Sequence, residues 1–262
     1  MLKLNEFMSV IDNIAPLSIS CKMIEQGDYD NSGVIVKCSE EVNKILFSLD
    51  LSNESIDKAL ELGCDTVVTH HPAIYNPIKR LSIDDGTAPI VNAIKNGVNV
   101  ISMHLNLDMA NGGIDASLSS GLGVKNAKII EPLCGTEYGY GRQGDVDECS
   151  AKEFLSKATE TFKSERIIFY GAGTVKKVAS FCGGGDDYAL KAVVDGVTDA
   201  DTIVTSDMPH HVLKELIERG KNVMLIPHYV SEQYGFEKFY SVVSAKLCDT
   251  AKTFYFIDER FM

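Results

Sequence analysis

The chain has 262 residues, of which 45% are hydrophobic and 24% charged, the composition of a globular protein with one large or two small α/β domains. Its formal net charge of −12 disfavours nucleic acid and anionic membranes as partners, because like charges repel. The seven cysteines are scattered and contain no Cys-x-x-Cys pair, which argues against a disulfide framework or a zinc ribbon and favours a cytoplasmic protein. No apolar run approaches the roughly 18 residues of a membrane span.

Strands and helices alternate along the chain. An amphipathic helix over residues 1–11, unlike a signal peptide, precedes strand 44–49, helix 55–62, strand 65–69, helix 88–96, strand 99–103 and a short helix at 115–121. Further on, the pattern predicts helix 151–162, strand 177–182, helix 188–194, strand 202–205, helix 211–219 and strand 222–226. Such alternation favours βαβ units, and hence an α/β fold with mixed, mostly parallel sheets.

The chain divides into two similar halves in this interpretation. Residues 131–144 carry four glycines, which is typical of a hinge or linker. We expect a first α/β half from residues 1–130 plus 228–262 and a second from residues 131–227, with a metal site in the cleft between them. Residues 65–72 also resemble residues 201–209, an internal repeat that chance alone could produce.

All six histidines follow predicted strands, at the edge where α/β sheets bind ligands: His70, His71, His104, His210, His211 and His228. A lone histidine at such a position is usually a hydrogen-bonded residue with no ligand role. Six of them at one edge favour a metal site instead.

His228 and Glu232 are four residues apart, so they share one face if Pro227 begins a helix. His104 and Asp108 have the same spacing, but the neighbouring asparagines and glycines predict a loop there. Imidazole together with carboxylate suits zinc, iron or manganese rather than calcium or magnesium.

Residues 182–185 form a Cys-Gly-Gly-Gly loop between a strand and a helix. Such glycines can let a phosphate approach the backbone N–H groups, but no Walker lysine follows and two aspartates would repel an anion. We therefore favour a tight turn.

Several motifs occur in the order found in one family. They are Asp30-Asn31-Ser32-Gly33, Thr69-His70-His71-Pro72 with Lys79, His104-Leu105-Asn106-Leu107-Asp108, Cys182-Gly183-Gly184, Asp207 with His211, and His228-Tyr229-Val230-Ser231-Glu232. Together they resemble the Nif-three-like family, also labelled GTP cyclohydrolase 1 type 2 homologues or dinuclear metal centre proteins. The chain departs from the family pattern at Tyr29, Ser206 and Pro227, none of which removes a ligand.

The resemblance implies two divalent metal ions held by His70, His71, Asp108, His228 and Glu232, with Glu232 bridging them. It also places His104 and His211 near the ions and implies a ring-shaped homohexamer. We expect these two histidines to be the catalytic groups that transfer protons. The adjacent histidines fit two ions, because neighbouring side chains on an extended strand point to opposite sides.

The expected function is a metal-dependent hydrolase acting on a small anionic, phosphate- or nucleotide-like substrate. Two alternatives stay open, a non-catalytic metal-binding or metal-handling assembly protein and a GTP cyclohydrolase. Whether the protein is an enzyme is not decided by the residues alone.

Overall fold

The computed structural model describes residues 2–262, and its contacts divide the chain into two compact units. The first unit runs to Ala110 and includes Phe236–Arg260, and the second comprises Asn111–Gly235 with Phe261–Met262. These boundaries differ from the predicted ones after residues 130 and 227. Residues 111–130 lie in the second unit because they include a strand of its sheet, and residues 228–235 join them because Gly235 lies against Ile114.

The first unit is built from short strands and helices that follow one another closely. In chain order these are β1 (Leu2–Lys3), α1 (Leu4–Asp12), α2 (Leu17–Glu25), β2 (Gly33–Val36), β3 (Glu41–Val42), β4 (Lys44–Ser48), α3 (Asn53–Leu62), β5 (Thr66–Thr69), α4 (Ala88–Lys95), β6 (Asn99–Ser102) and α5 (Leu105–Met109).

The second unit continues with longer strands. Its elements are α6 (Ile114–Gly121), β7 (Lys125–Pro132), β8 (Gly139–Ser150), α7 (Ala151–Phe162), β9 (Ile168–Tyr170), β10 (Thr174–Ser180), α8 (Asp186–Val194), β11 (Thr202–Thr205), α9 (His210–Glu218) and β12 (Asn222–Leu225). Helix α10 (His228–Leu247) begins in the second unit and ends in the first, where β13 (Lys252–Phe256) and a short 3₁₀ helix (Glu259–Phe261) follow.

Each unit has one main sheet. The first has the strand order β13-β4-β5-β6-β2, in which only β2 is antiparallel to its neighbour. The second has the order β7-β8-β10-β11-β12-β9, in which β10, β11 and β12 are parallel and the outer pairs antiparallel. The predicted fold class is confirmed as a mixed α/β fold; the first sheet is mostly parallel, whereas the second contains more antiparallel than parallel pairings.

Local signals explain where the helices begin and end. Ser150 caps α7 by accepting a hydrogen bond from the Glu153 N–H, while the Glu153 carboxylate accepts from the Ser150 N–H. Ser52 caps α3 in the same position, and Gly63 ends that helix at a φ of +68°, a conformation that glycine adopts without strain. These helices pack onto the sheets through their apolar faces, with Phe154, Ala158 and Phe162 of α7 buried.

The internal repeat is confirmed as a structural one. β4-α3-β5-α4-β6 in the first unit corresponds to β10-α8-β11-α9-β12 in the second. The backbone N–H groups of Asp65 and Asp201 both donate to the preceding parallel strand, and their carbonyls accept from Asn99 and Asn222 respectively. The Asp65 carboxylate also accepts from the Asn43 N–H and the Thr66 hydroxyl. The Asp201 carboxylate accepts from the Lys177 N–H and the Thr202 hydroxyl, so an aspartate has the same role before the central strand of each sheet.

The predicted hinge at residues 131–144 is wrong, because the segment belongs to the hairpin of β7 and β8. Three of its four glycines permit close packing. A Cβ on Gly139 would lie 2.4 Å from the Glu131 carbonyl oxygen, and one on Gly141 would lie 2.4 Å from the Phe181 ring. Gly141 also has a φ of +71°, which disfavours any side chain.

Within residues 2–262, no single helix has both the length and the apolar character needed to cross a membrane. Helices α1 and α2 meet those requirements only as a pair, bent by 71°.

We expect Gly141→Ala to lower the free energy of unfolding by about 2–4 kcal/mol, since it adds a left-handed alanine and an overlap with Phe181. Urea denaturation measures the change. Gly135→Ala is the matched control, because Gly135 has a φ of +75° but nothing within 4 Å of a Cβ. An equal loss in both variants would mean that packing against Phe181 contributes nothing.

Candidate metal centre

His70 and His71 follow β5 and are fixed from both backbone and side chain. Both N–H groups donate to the Leu49 carbonyl oxygen, at 3.1 Å each. The Nδ1 atom of His70, which is fully buried, lies 2.8 Å from the Met103 carbonyl oxygen. The Nδ1 atom of the half-buried His71 lies 2.7 Å from Asp50 Oδ1.

These contacts define the tautomer of each ring. A carbonyl or carboxylate oxygen can only accept, so the proton of each neutral imidazole is on Nδ1. The lone pair is then on Nε2, the atom that would bind a metal. Histidines that ligate metals usually donate their other N–H to such an oxygen, which orients the ring and raises its basicity.

Asp108 and His104 both lie close to the His70 ring. Asp108 Oδ1 lies 3.4 Å from His70 Nε2, and the rings of His70 and His104 are 5.3 Å apart. One ligand atom from each of these three residues lies within 4.8 Å of the other two, close enough to hold one ion. His104 is thus able to be a ligand itself, in addition to its predicted catalytic role.

The loop predicted around Asp108 is wrong, because residues 105–109 form α5. The Asp108 N–H donates to the His104 carbonyl oxygen at 3.0 Å, and the Asn106 side chain donates to the Ala15 carbonyl oxygen at 2.7 Å. A buried partner for Asn106 outside its own segment therefore stabilises a helix that the local sequence disfavours.

His104 belongs to a hydrogen-bonded chain with Asp30 and Ser32. Its Nδ1 lies 2.7 Å from Asp30 Oδ1, the Ser32 hydroxyl donates to Asp30 Oδ2 at 2.7 Å, and the His104 N–H donates to Ser32 Oγ at 3.1 Å. Burial by itself raises the pKa of Asp30, but the hydrogen bonds of His104 and Ser32 help to lower it below its usual value. Asp30 is therefore a buried carboxylate that orients His104.

Asp50 is a functional candidate that the sequence analysis missed. It lies two residues after β4, at the same end of the strand as the residues that follow β5 and β6. An acidic residue just after a buried parallel strand is the signal in the sequence that points to it.

In the second unit, α10 begins after Pro227 as predicted and aligns His228 with Glu232. His228 Nε2 lies 3.0 Å from Glu232 Oε1, and Glu232 is buried with 3% exposure. His228 Nδ1 lies 2.6 Å from Asp207 Oδ2, so this ring is oriented in the same way as those of the first unit. The predicted convergence of imidazole and carboxylate on one helix face is confirmed.

His211 lies in the first turn of α9 with an exposed side chain, as does its neighbour His210. Its predicted catalytic role stays a prediction.

The Cys182–Gly185 loop forms the predicted tight turn, with the Gly185 N–H donating to the Gly183 carbonyl oxygen at 3.1 Å. It also packs against the His228 and Glu232 pair. Gly183 has a φ of +58°, and a Cβ there would lie 2.5 Å from Glu232 Oε1 and 3.3 Å from His228 Nε2. The glycine is therefore needed for the backbone to approach these side chains.

A buried ion pair fixes the position of that loop. Asp115 Oδ1 accepts from the Cys182 N–H at 3.2 Å, and Asp115 Oδ2 lies 3.0 Å from Arg142 Nη1. The Tyr140 hydroxyl donates to the Cys182 carbonyl oxygen. Three side chains distant in sequence thus hold the loop against the first turn of α10.

We expect Asp30→Asn to lower the free energy of unfolding by about 1–3 kcal/mol at pH 7, because it removes a buried charged acceptor. Since the folded-state pKa of Asp30 lies below its ordinary value of 3.8, the carboxylate stabilises the fold above pH 3.8 and loses that effect as the pH falls. Urea denaturation of the unsubstituted protein and of the Asp30→Asn variant, at several pH values between 7 and 3, measures the difference in the free energy of unfolding. This difference should become smaller as the pH falls. A constant difference would contradict the role of the charge.

Known proteins resemble this chain over most of its length. Residues 2–260 match the family described as Duf34/NIF3 (NGG1p interacting factor 3). A protein of Clostridium perfringens named "GTP cyclohydrolase 1 type 2 homolog" is 30% identical over 237 residues, covering 88% of this chain and 87% of that protein.

Solved structures show the same fold. A Bacillus cereus protein related to NIF3 superposes with a TM-score of 0.85 at 19% identity, covering 98% of this chain and 97% of its own. Reduced HcgD from Methanocaldococcus jannaschii superposes with a TM-score of 0.80 at 26% identity, covering 97% of both chains. The match over nearly the whole length shows that the chain belongs to the Duf34/NIF3 family.

Proposed function

We propose that this protein binds two divalent metal ions and uses them in hydrolysis. The observation that carries the proposal is the shared orientation of four histidines. His70, His71, His104 and His228 each have an oxygen acceptor at Nδ1, at 2.6–2.8 Å, which leaves the lone pair on Nε2, for metal coordination in His70, His71 and His228 and for proton transfer in His104. Histidines that ligate metals almost always have such an acceptor at the other ring nitrogen.

Each unit supplies its own ligands in this proposal. The first contributes His70, His71 and Asp108, and the second contributes His228 and Glu232. Neutral imidazoles with carboxylates favour zinc, iron or manganese. The count of two ions rests on the family resemblance and on the adjacency of His70 and His71. When bound, such a pair of ions lowers the pKa of a coordinated water and attracts anionic oxygen atoms of a substrate.

The residues around the ligands support proton transfer. Asp30 holds the Nδ1–H of His104, so Nε2 of His104 is the atom available to accept or return a proton. Asp30 would also stabilise the imidazolium that forms. A small anionic, phosphate- or nucleotide-like compound is the substrate class we propose, because two dications outweigh the two carboxylate ligands. His211 is proposed as a second proton-transferring group.

Two other functions share the same ligands. A metal-binding or metal-handling assembly protein would bind the ions without turnover. GTP cyclohydrolase activity is suggested by the name of the Clostridium perfringens relative, "GTP cyclohydrolase 1 type 2 homolog". Assays of the metal-loaded protein with phosphoesters, with nucleotides and with GTP under formate detection separate the three.

We also propose a homo-oligomer, specifically a ring-shaped hexamer, and a cytoplasmic location. The free thiol state of all seven cysteines supports the cytoplasmic location. Light scattering of the purified protein measures the subunit number, and a stable monomer would contradict the ring.

We expect His70→Ala combined with Glu232→Ala to abolish bound metal, because the pair removes one proposed ligand from each unit. Elemental analysis of dialysed protein gives the metal content. His210→Ala is the matched control, since His210 is exposed and is not a proposed ligand. Full metal occupancy of the double variant would overturn the ligand assignment.

Gly183→Ala should weaken metal binding by about 10–100-fold, because the methyl group would displace Glu232 and His228. Competition with a chromophoric chelator measures the affinity. Gly184→Ala in the same loop is the control, as nothing lies within 4 Å of a Cβ at that position. Unchanged affinity in Gly183→Ala would show that the loop does not position these ligands.

A further inference from the structure

A groove of about 690 Å³ opens on the surface of the first unit. Its walls come from β2 and the two residues after it, from the loop after His71, and from α4. Seven aliphatic side chains line it, together with three cationic side chains and one thiol. This volume lies within the roughly 300–1,000 Å³ range of small-molecule sites.

The floor of the groove is part of the hydrophobic core, whereas its rim exposes apolar surface. Val36 and Ile90 belong to the core cluster, and Ile35, Ile74 and Ile78 pack against it. At the rim, Leu81 is 53% exposed and Ile94 is 49% exposed. Large aliphatic side chains kept in water beside a preformed depression indicate a surface that binds an apolar group.

The charged side chains that line the groove are cationic, whereas the net charge of the whole chain is negative. The protein has 37 acidic and 25 basic residues, yet the groove is lined by Lys37, Lys79 and Arg80 and by no acidic side chain. Lys37 pairs with Glu40 at 2.5 Å, and Arg80 lies 3.8 Å from Asp85. Lys79 makes no ion pair with any residue in the described range 2–262, so its ammonium group is available to a ligand.

We propose that this groove binds an amphipathic anion, namely a straight aliphatic chain that ends in a carboxylate or a phosphate. The aliphatic lining accommodates the chain, and Lys79 and Arg80 bind the head group. An aromatic or nucleotide ligand fits less well, because none of the described lining residues is aromatic and a base would find no stacking partner. The proposal is independent of metal binding.

Binding is tested first with four probes of equal chain length, each below its critical micelle concentration. Titration calorimetry of the full-length protein with decanoate, decyl phosphate, decanol and decyltrimethylammonium compares the two anions with a neutral and a cationic analogue. We expect saturable binding of at least one anion, about tenfold tighter than decanol because of the charged contacts, and none of the cation. The stronger of the two anions identifies the head group.

Cys38 gives a readout at the groove itself. It is an exposed free cysteine in the groove lining, and Cys21 and Cys134 are exposed free cysteines outside it. The bound anion should slow alkylation of Cys38 and leave the other two unchanged, as measured by mass spectrometry of peptides.

Two variants distinguish the contribution of the charged head group to binding from that of the aliphatic chain. Lys79→Gln should weaken binding of the anion but leave decanol unaffected, whereas Leu81→Asp should weaken both. Lys152→Gln is the matched control, an exposed lysine on α7 in the second unit. Because Lys79 and Leu81 are exposed, unchanged thermal melting is expected and checks that the variants fold.

Three results would overturn the proposal. They are the absence of saturable binding, equal affinity for the anions and decanol, and binding that neither variant alters. Cys38 that stays unreactive in the ligand-free protein, combined with a smaller oligomer for Leu81→Asp, would instead show that another copy of the chain covers the groove.

Discussion

The hydrogen bond at Nδ1 of each histidine is the interaction on which the candidate site depends. An imidazole can present a lone pair at a defined point only if its other nitrogen is held, because rotation or a change of tautomer would remove the donor atom. Asp50, Asp30 and Asp207 hold three of these rings and the Met103 carbonyl holds the fourth. The acceptors are as much part of the site as the histidines, and three of them are carboxylates.

The repeated βαβαβ unit explains why Asp50, the Met103 carbonyl and Asp207 lie near the rings, whereas Asp30 precedes β2, the antiparallel neighbour of β6. Parallel strands end at the same edge of a sheet, so residues after β4, β5 and β6 are brought together although they lie tens of positions apart in the chain. The second unit repeats this arrangement with β10, β11 and β12. Where the backbone itself must approach a functional side chain, as at Gly183, a residue without a Cβ is required.

Local sequence was informative where one signal decided the structure. Proline before His228 and the spacing to Glu232 were enough to predict the first turn of α10. The local sequence was misleading where the structure depends on contacts with residues distant in the chain. Four glycines suggested a hinge at 131–144, but three of them, Gly139, Gly141 and Gly144, allow β8 to lie against Glu131, Phe181 and Lys125. Asparagine and glycine around Asp108 suggested a loop, yet a buried hydrogen bond from Asn106 to Ala15 accompanies a helix.

The sequence by itself therefore determined the fold class, the strand-end position of every histidine and the family, because each depends on residue type and spacing along the chain. Only the tertiary structure decided which groups orient the rings, that His104 lies within ligand distance of His70, and that the glycine loop packs on Glu232. It also decided that Lys79 and Arg80 border an aliphatic groove. These features arise from contacts between residues far apart in the chain, and side-chain position there is set by packing and hydrogen bonding that no local pattern specifies.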